Sequence, residues 1–266
     1  MSTDIIIPTW RGNNKKQILK SLDSFLSEKK LINKIFLVVD GCKEFPSYLF
    51  FEHPLQEKIQ IIYKYRNEGP GLARNIGVAF SKAENIIFLD AGDKSIENRV
   101  RIQTKSLQLN DISVGDIKEI KNKKRTSIRI SSRSISKAIR ILPYRTPFNN
   151  VTIAIKRKKF NELRGYPNLR TAEDWLFMGK VIKNGMRFSC EEIVLVEIEK
   201  DELFIKRRKG RLVFNDISFC IEYLHRLKLI NGRQKFISLN IQRILRLYTP
   251  DNILSLIYYI LRKNIS

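Results

Sequence analysis

The chain has 266 residues, 43% hydrophobic and 29% charged, which suits one large α/β domain with an appendage and excludes a disordered or fibrous protein. A formal net charge of +23 points to an anionic partner: nucleic acid, an anionic membrane surface or a polyanionic substrate. Cys42, Cys190 and Cys220 have neither pairing nor metal-ligand spacing, which argues against a disulfide framework and fits a reducing compartment.

The start of the chain has no basic segment followed by a long apolar one, and no uncharged apolar run approaches the roughly 20 residues of a spanning helix. The expected location is cytoplasmic, peripheral on the inner face of the cell membrane. In chain order, residues 4–7 read as a short buried strand stopped by Pro8. Residues 15–28 read as a helix with the stripe Ile18, Leu19, Leu22, Phe25 and Leu26. Strands over 34–39 and 58–63 follow, the first running into Asp40. The spacing predicts a helix over 69–82 with Leu72, Ile76, Ala79 and Phe80 inward, then a fourth strand over 85–89 ending at Asp90. Continuous apolar strands alternating with helices predict a mainly parallel sheet covered on both faces. Ligands of such sheets bind beyond the carboxyl ends of the strands, where Pro8, Thr9, Asp40 and Asp90 fall.

A helix over 95–109 is expected next, then strands over 112–120 and 125–130 around a Lys-rich turn, and a strand over 151–155. Residues 171–183 read as a helix closed by Asn184-Gly185, with closing strands over 187–189 and 193–198. Amphipathic helices over 212–229 and 233–247 precede a last helix with Thr249 as N-cap and Pro250 at its first position. Two stretches concentrate the charge: 118–145 carries ten Lys/Arg against the single acid Glu119, and 200–266 carries fourteen against five acids. Neither interleaves aromatic residues with the basic ones as a base-stacking surface would, so no nucleic-acid partner is expected. The last helix, from Ile253 to Leu261 and flanked by Arg262 and Lys263, is apolar over most of its circumference. It either lies on an anionic leaflet or is buried against protein.

Chemistry concentrates in two places. Residues 65–77 contain Asn67, Gly69, Ala73, Arg74, Asn75 and Gly77 in the order Asn-x-Gly-x-x-x-Ala-Arg-Asn-x-Gly, and the apolar stretch 86–89 then runs into Asp90-Ala91-Gly92-Asp93. Residues 159–175 run from Lys159-Phe160 through Gly165-Tyr166-Pro167 to Glu173-Asp174-Trp175. With the opening strand and Asp40-Gly41, these pieces resemble family 2 glycosyltransferases of the GT-A fold over roughly residues 3–198. The resemblance implies a GT-A catalytic domain over 1–199, with a nucleotide-sugar-binding half (1–110) and an acceptor half (111–199), followed by a basic amphipathic helical extension (200–266). It implies transfer of one sugar from a nucleotide-diphosphate sugar, UDP-sugar foremost, to an acceptor hydroxyl by inverting displacement, in surface polysaccharide, lipopolysaccharide or other glycan biosynthesis. The acceptor would be a saccharide or a lipid-linked saccharide. The marks of processive members, a Gln-x-x-Arg-Trp motif and several spanning helices, are missing from the sequence.

Carboxylates at a strand exit suit a hard divalent cation, Mg²⁺ or Mn²⁺, bridging diphosphate oxygens, which makes Asp90 and Asp93 the candidate metal ligands. Asp-x-Gly-Asp is also good turn chemistry. The family pattern has an acid where this chain has Gly92, so the ligand is Asp93, Asp90 alone, or the metal dependence is weak. By the resemblance Asp40 accepts from the base of the nucleotide, the alternative being an Asp-Gly turn. Arg74 is placed near the phosphates, the alternative being a helix-surface ion pair, and Pro8 and Thr9 line base and ribose. Asp174 is the implied catalytic base and Glu173 its partner, although acids in a first helical turn are stabilising in any protein. Trp175 either stacks on a sugar or belongs to the core. His53 and His225 read as structural, and the run Lys206-Arg207-Arg208-Lys209 either reaches phosphates or is a solvated face. Two other classes stay open: a non-catalytic nucleotide-sugar-binding relative, and a basic membrane- or nucleic-acid-binding protein on a similar scaffold.

Overall fold

The computed structural model describes residues 2–10, 12–41, 52–121, 125–200 and 205–263; Cys42 and the middle of the Lys-rich turn, 122–124, lie outside them. The first strands are β1 (Thr3–Trp10), β2 (Ile35–Asp40), β3 (Ile59–Lys64) and β4 (Asn85–Phe88). They pair in parallel in the order β3-β2-β1-β4. Alternate residues feed two cores. Ile6, Val38 and Phe88 face one side, while Ile5, Ile7, Leu37 and Ile87 face the other, so both faces are covered.

Beyond β4 the sheet turns mixed. The further strands are β5 (Lys94–Ser95), β6 (Ile112–Lys121), β7 (Arg125–Arg129), β8 (Ala154–Lys156) and β9 (Phe188–Lys200). The nine-stranded sheet continues β4-β8-β6-β9-β5, with β7 antiparallel to β6 and β9 parallel to it. The two closing strands expected from the sequence are one strand, β9, whose register against β6 shifts around Asp116.

Pro8 does not stop the first strand. The Ile5 N–H donates to Lys34 O on the β2 side, so alternation turns residue 8 toward β4, whose pairing with β1 ends at Ile6 opposite Phe88. A missing N–H costs nothing there.

The helices are α1 (Lys15–Asp23), α2 (Pro70–Phe80), α3 (Arg99–Leu109), α4 (Ile135–Ile141), α5 (Arg157–Glu162), α6 (Glu173–Lys183), α7 (Arg211–Arg226), α8 (Gly232–Arg243) and α9 (Asp251–Lys263). The short α4 and α5 have no counterpart in the sequence reading. On α2 the inward face is corrected: Ala79 and Phe80 are exposed, while Gly71, Ala73, Arg74, Gly77 and Val78 are buried. Close approach decides this. A Cβ on Gly77 would stand 2.5 Å from Ile6 and 3.2 Å from Val38, so the helix lies too near the sheet for large side chains.

Ile217, Cys220, Ile221 and Leu224 of α7 belong to the same apolar cluster as Leu176 and Val181 of α6. α7 is therefore packed into the core on that face of the sheet. α9 packs along β7 and buries Leu254, leaving Ile253, Leu256 and Ile260 exposed.

Candidate active site

At the carboxyl end of β2, the buried Asp40 carboxylate accepts from Lys64 Nζ (2.9 Å), the Glu68 N–H (3.1 Å) and the Gly69 N–H (2.8 Å). It thereby fixes the loop that carries Asn67 and Gly69 into α2. Thr9, at the end of β1, is buried and its hydroxyl donates to Asn13 Oδ1 at 3.2 Å.

Asp90-Ala91-Gly92-Asp93 leaves β4 as a tight turn closed by the Asp93 N–H on Asp90 O (3.0 Å). Ser21 of α1 secures it, its hydroxyl donating to Asp93 O (2.8 Å) and accepting from the Gly92 N–H (2.9 Å). Gly92 has φ of +100°, and a Cβ there would find Gln17 no nearer than 3.6 Å. Space would admit an acid at this position; the left-handed backbone is what favours glycine.

Arg74 is the centre of the arrangement. Its guanidinium is almost fully buried, pairs with Asp90 through Nη2, reaches Glu173 Oε1 through Nη1 at 3.4 Å, and lies 5.3 Å from the centre of the Tyr166 ring. With the Asn150 amide turned to suit its neighbours, its oxygen accepts from both Arg74 nitrogens at 3.1 and 3.2 Å and its nitrogen donates to the Tyr166 hydroxyl. Burial alone would lower the Arg74 pKa, but Asp90, Tyr166 and Glu173 outweigh it and raise it. One buried cation thus ties the turn after β4 to the start of α6.

The start of α6 is held from both sides. Asp216 of α7 accepts from the Arg170 and Thr171 N–H groups and the Thr171 hydroxyl (3.1, 3.0 and 3.2 Å). Trp175 is buried, and its Nε1–H donates to Leu142 O at 2.8 Å, so its ring is core. Ala172 takes a left-handed backbone (φ 61°), an unfavourable state for a residue with a side chain, immediately before Glu173-Asp174. Burial first, and then the neighbouring Asp174, push the Glu173 carboxyl up to about 8. Burial likewise raises Asp174, against the opposing Trp175 N–H and Arg74. Burial and the charge of Asp90 hold Asp93 well above the usual carboxylate range.

The match to a family model decides the assignment: residues 4–164 match the model of Glycosyl transferase family 2, more than half of the chain. The chain belongs to glycosyl transferase family 2.

Among its relatives, this family 2 glycosyltransferase is 29% identical over 177 residues to an uncharacterized glycosyltransferase of Rickettsia bellii, covering 64% of this chain and only a quarter (25%) of that protein. An uncharacterized glycosyltransferase of Haemophilus influenzae is 21% identical over 217 residues, 79% of this chain and 80% of that one. Among solved structures, S. aureus TarS 1–349 in complex with UDP-GlcNAc superposes with a TM-score of 0.64 at 18% identity, over 92% of this chain and 73% of that one. That likeness establishes the GT-A fold.

The structure brings Arg74, Asp90, Glu173 and Asp174 into one charged cluster, with Asp93 beside Asp90. Asp40 stands apart from that cluster, at the other end of the 65–74 segment. The sequence reading passes over Lys64, Ser21 and Asn150, none of which carries a motif of its own, and gives Tyr166 no role beyond its place in the 159–175 stretch. Asn75 does lie in the motif, and its amide clamps the Tyr166 backbone in both directions (2.9 and 2.8 Å). His53 is held by Asp23 and the Leu55 N–H, a structural role.

The raised Glu173 carboxyl has a measurable consequence. Between about 4.5 and about 8 the folded chain keeps a proton there that the unfolded chain has released, so unfolding free energy falls as pH rises through that window. Urea unfolding at several pH values is expected to show this fall in the wild type and a weaker one in Glu173→Gln.

Proposed function

We propose that the chain moves one sugar from a nucleotide-diphosphate sugar, a UDP-sugar foremost, to an acceptor hydroxyl with inversion at the anomeric carbon. The observation that carries this reading is the Arg74 bridge, which sets the Asp90 turn and the Glu173-Asp174 pair on one guanidinium. UDP-GlcNAc bound to the similarly folded S. aureus TarS supports the donor class.

Asp174 takes the acceptor proton as the acceptor oxygen bonds to the anomeric carbon and the bond to the diphosphate breaks on the opposite face. A base with a raised pKa is better matched to neutral pH than an ordinary aspartate. Glu173, protonated near neutral pH, orients the acceptor without adding a second negative charge. On the donor side, Asp40 with Pro8 and Thr9 lines base and ribose, and Arg74 holds Asp90 toward the diphosphate.

Asp90 and Asp93 fit a divalent cation, Mg²⁺ or Mn²⁺: both are hard oxygen donors, and Asp93, raised by burial and then by the charge of Asp90, is a carboxyl that such an ion would hold ionised. When bound, the ion supplies charge compensation for the departing diphosphate. No group of three or more His, Cys, Asp or Glu suited to a metal occurs among the described residues; Asp90 and Asp93 would hold the ion together with the donor.

No helix among the described residues is long and apolar enough to cross a membrane. The exposed Ile253, Leu256 and Ile260 of α9, in a basic segment, support attachment to an anionic leaflet and an acceptor on a lipid carrier, in surface polysaccharide synthesis. A thermal-shift panel of UDP, GDP and dTDP with and without Mn²⁺ tests the donor site. One nucleotide is expected to raise the melting temperature, further with Mn²⁺ and less in Asp90→Asn. No shift from any of the three refutes the donor site.

A further inference from the structure

The positive charge of this chain has a focus where residues of the acceptor half meet the start of the extension. Arg129 ends β7, Arg145 follows α4, and Arg208 lies in the short turn Lys206–Arg208 before α7. A network of hydrogen bonds draws these three segments around the start of α6. The Trp175 indole, next to Asp174, donates to Leu142 O at 2.8 Å, three residues before Arg145. Asn149 Nδ2 donates to Arg129 O (2.8 Å), so the segment carrying Arg145 lies against the end of β7. From α8, Ser238 and Gln242 donate to Pro143 O (2.6 Å) and Tyr144 O (3.0 Å). Arg246 then links Gln242 Oε1 (3.0 Å) to Arg208 O (3.0 Å), tying the Arg208 segment to the same network.

The electrostatics agree with this placement. Arg129 and Arg208 both act on the Asp174 carboxyl, and Arg129 acts on Asp93 as well. Burial, and then the like charge of Arg129, lower the Arg145 pKa; burial lowers Arg208 too, against the opposing Tyr258 and Asp174 and with Arg129 and Arg246 adding to it. Among the described residues nothing hydrogen-bonds or ion-pairs with the Arg145 guanidinium. Arg129 Nε is buried without a hydrogen bond, its nearest carboxylate being Glu119 at 4.0 Å. Arg129 and Arg145, half-buried and of like charge, are costly to hold together, and an anion with several oxygens is the ligand that relieves them.

We infer that Arg129, Arg145 and Arg208 form a phosphate-binding subsite beside Asp174, and that the acceptor carries a phosphate group close to the hydroxyl that is glycosylated. This deepens, and rests on, the reading of Asp174 as the base of a sugar transfer. All three arginines come from beyond residue 110, whereas Asp40, Arg74 and Asp90 come from before it, which places the subsite on the acceptor side. The segment carrying Arg208 thereby gains a function in substrate choice.

The test is calorimetric titration of the full chain with sn-glycerol 3-phosphate, and with glycerol as neutral control, alone and after saturation with UDP and Mn²⁺. Glycerol phosphate is expected to bind in both states and glycerol in neither. Arg145→Gln and Arg129→Gln are expected to weaken it about tenfold or more while leaving UDP affinity within about twofold, the loss of a charge-assisted contact being of that size. Arg145→Lys, which keeps the charge and loses the planar fork, is expected to fall between. Melting curves matching the wild type identify the variants that are folded. Failure of glycerol phosphate to bind the wild type, or unchanged binding in a folded Arg145→Gln protein, overturns the subsite. Mutual exclusion with UDP overturns the acceptor assignment and gives the arginines to the donor's diphosphate. Absence of UDP binding refutes the donor site instead, and the titration without nucleotide still decides the phosphate site.

Discussion

Replacing Arg74 with Met is expected to unfold part of the donor site and abolish transfer together. The guanidinium is buried and contacts Asp90 and Glu173, so its removal leaves the Asp90 carboxylate without its cation and the Glu173 carboxyl without a donor. Breaking a buried ion pair from one side costs about 3–5 kcal/mol. The lower end applies here, because Asp90 is 40% exposed at its side chain and Glu173 can take up a proton. The loss should therefore grow as pH rises, since a Glu173 freed of Arg74 holds its proton to still higher pH in the folded chain. Urea midpoints at pH 7 and pH 9, on either side of the wild-type titration of Glu173, measure this. Arg74→Lys restores a charge without the two-pronged geometry, and should recover part of the stability and little of the activity.

Asp174→Asn is expected to behave in the opposite manner, with full stability and almost no turnover. The Asp174 Oδ1 accepts the Trp175 N–H at 2.7 Å, and an asparagine oxygen can do the same, so the first turn of α6 is kept. An amide cannot take the acceptor proton. Removal of a general base lowers turnover by roughly 10²–10⁴-fold. Nucleotide affinity should stay within about twofold if Asp174 acts on the acceptor as proposed, so that the effect falls on kcat rather than on the donor KM.

The sequence displays the donor half clearly because its chemistry is local. Continuous apolar strands, the 67–77 pattern and the acids after the fourth strand each depend on neighbours a few residues away. What it hides depends on distance in the chain or on backbone geometry. Arg74 stands 99 residues from Glu173, and nothing in the local pattern shows that its guanidinium spans the two acids rather than facing phosphate alone. The inward face of α2 is misread because apolar size is a poor guide where Gly77 touches Ile6 and Val38. Pro8 stays within β1 because its missing donor faces a side already vacated by β4, a fact of register. Gly92 reads as a lost ligand in the sequence and as a left-handed turn in the structure.

The most direct measurement is the release of nucleoside diphosphate from UDP-, GDP- and dTDP-sugars by the wild type and Asp174→Asn side by side, with Mn²⁺ present and a phosphate-bearing polyol supplied as acceptor. The expected result is release from one nucleotide class by the wild type and at least a hundredfold less by the variant. Equal release by the two proteins, or none from any donor, contradicts the assignment of this site to sugar transfer.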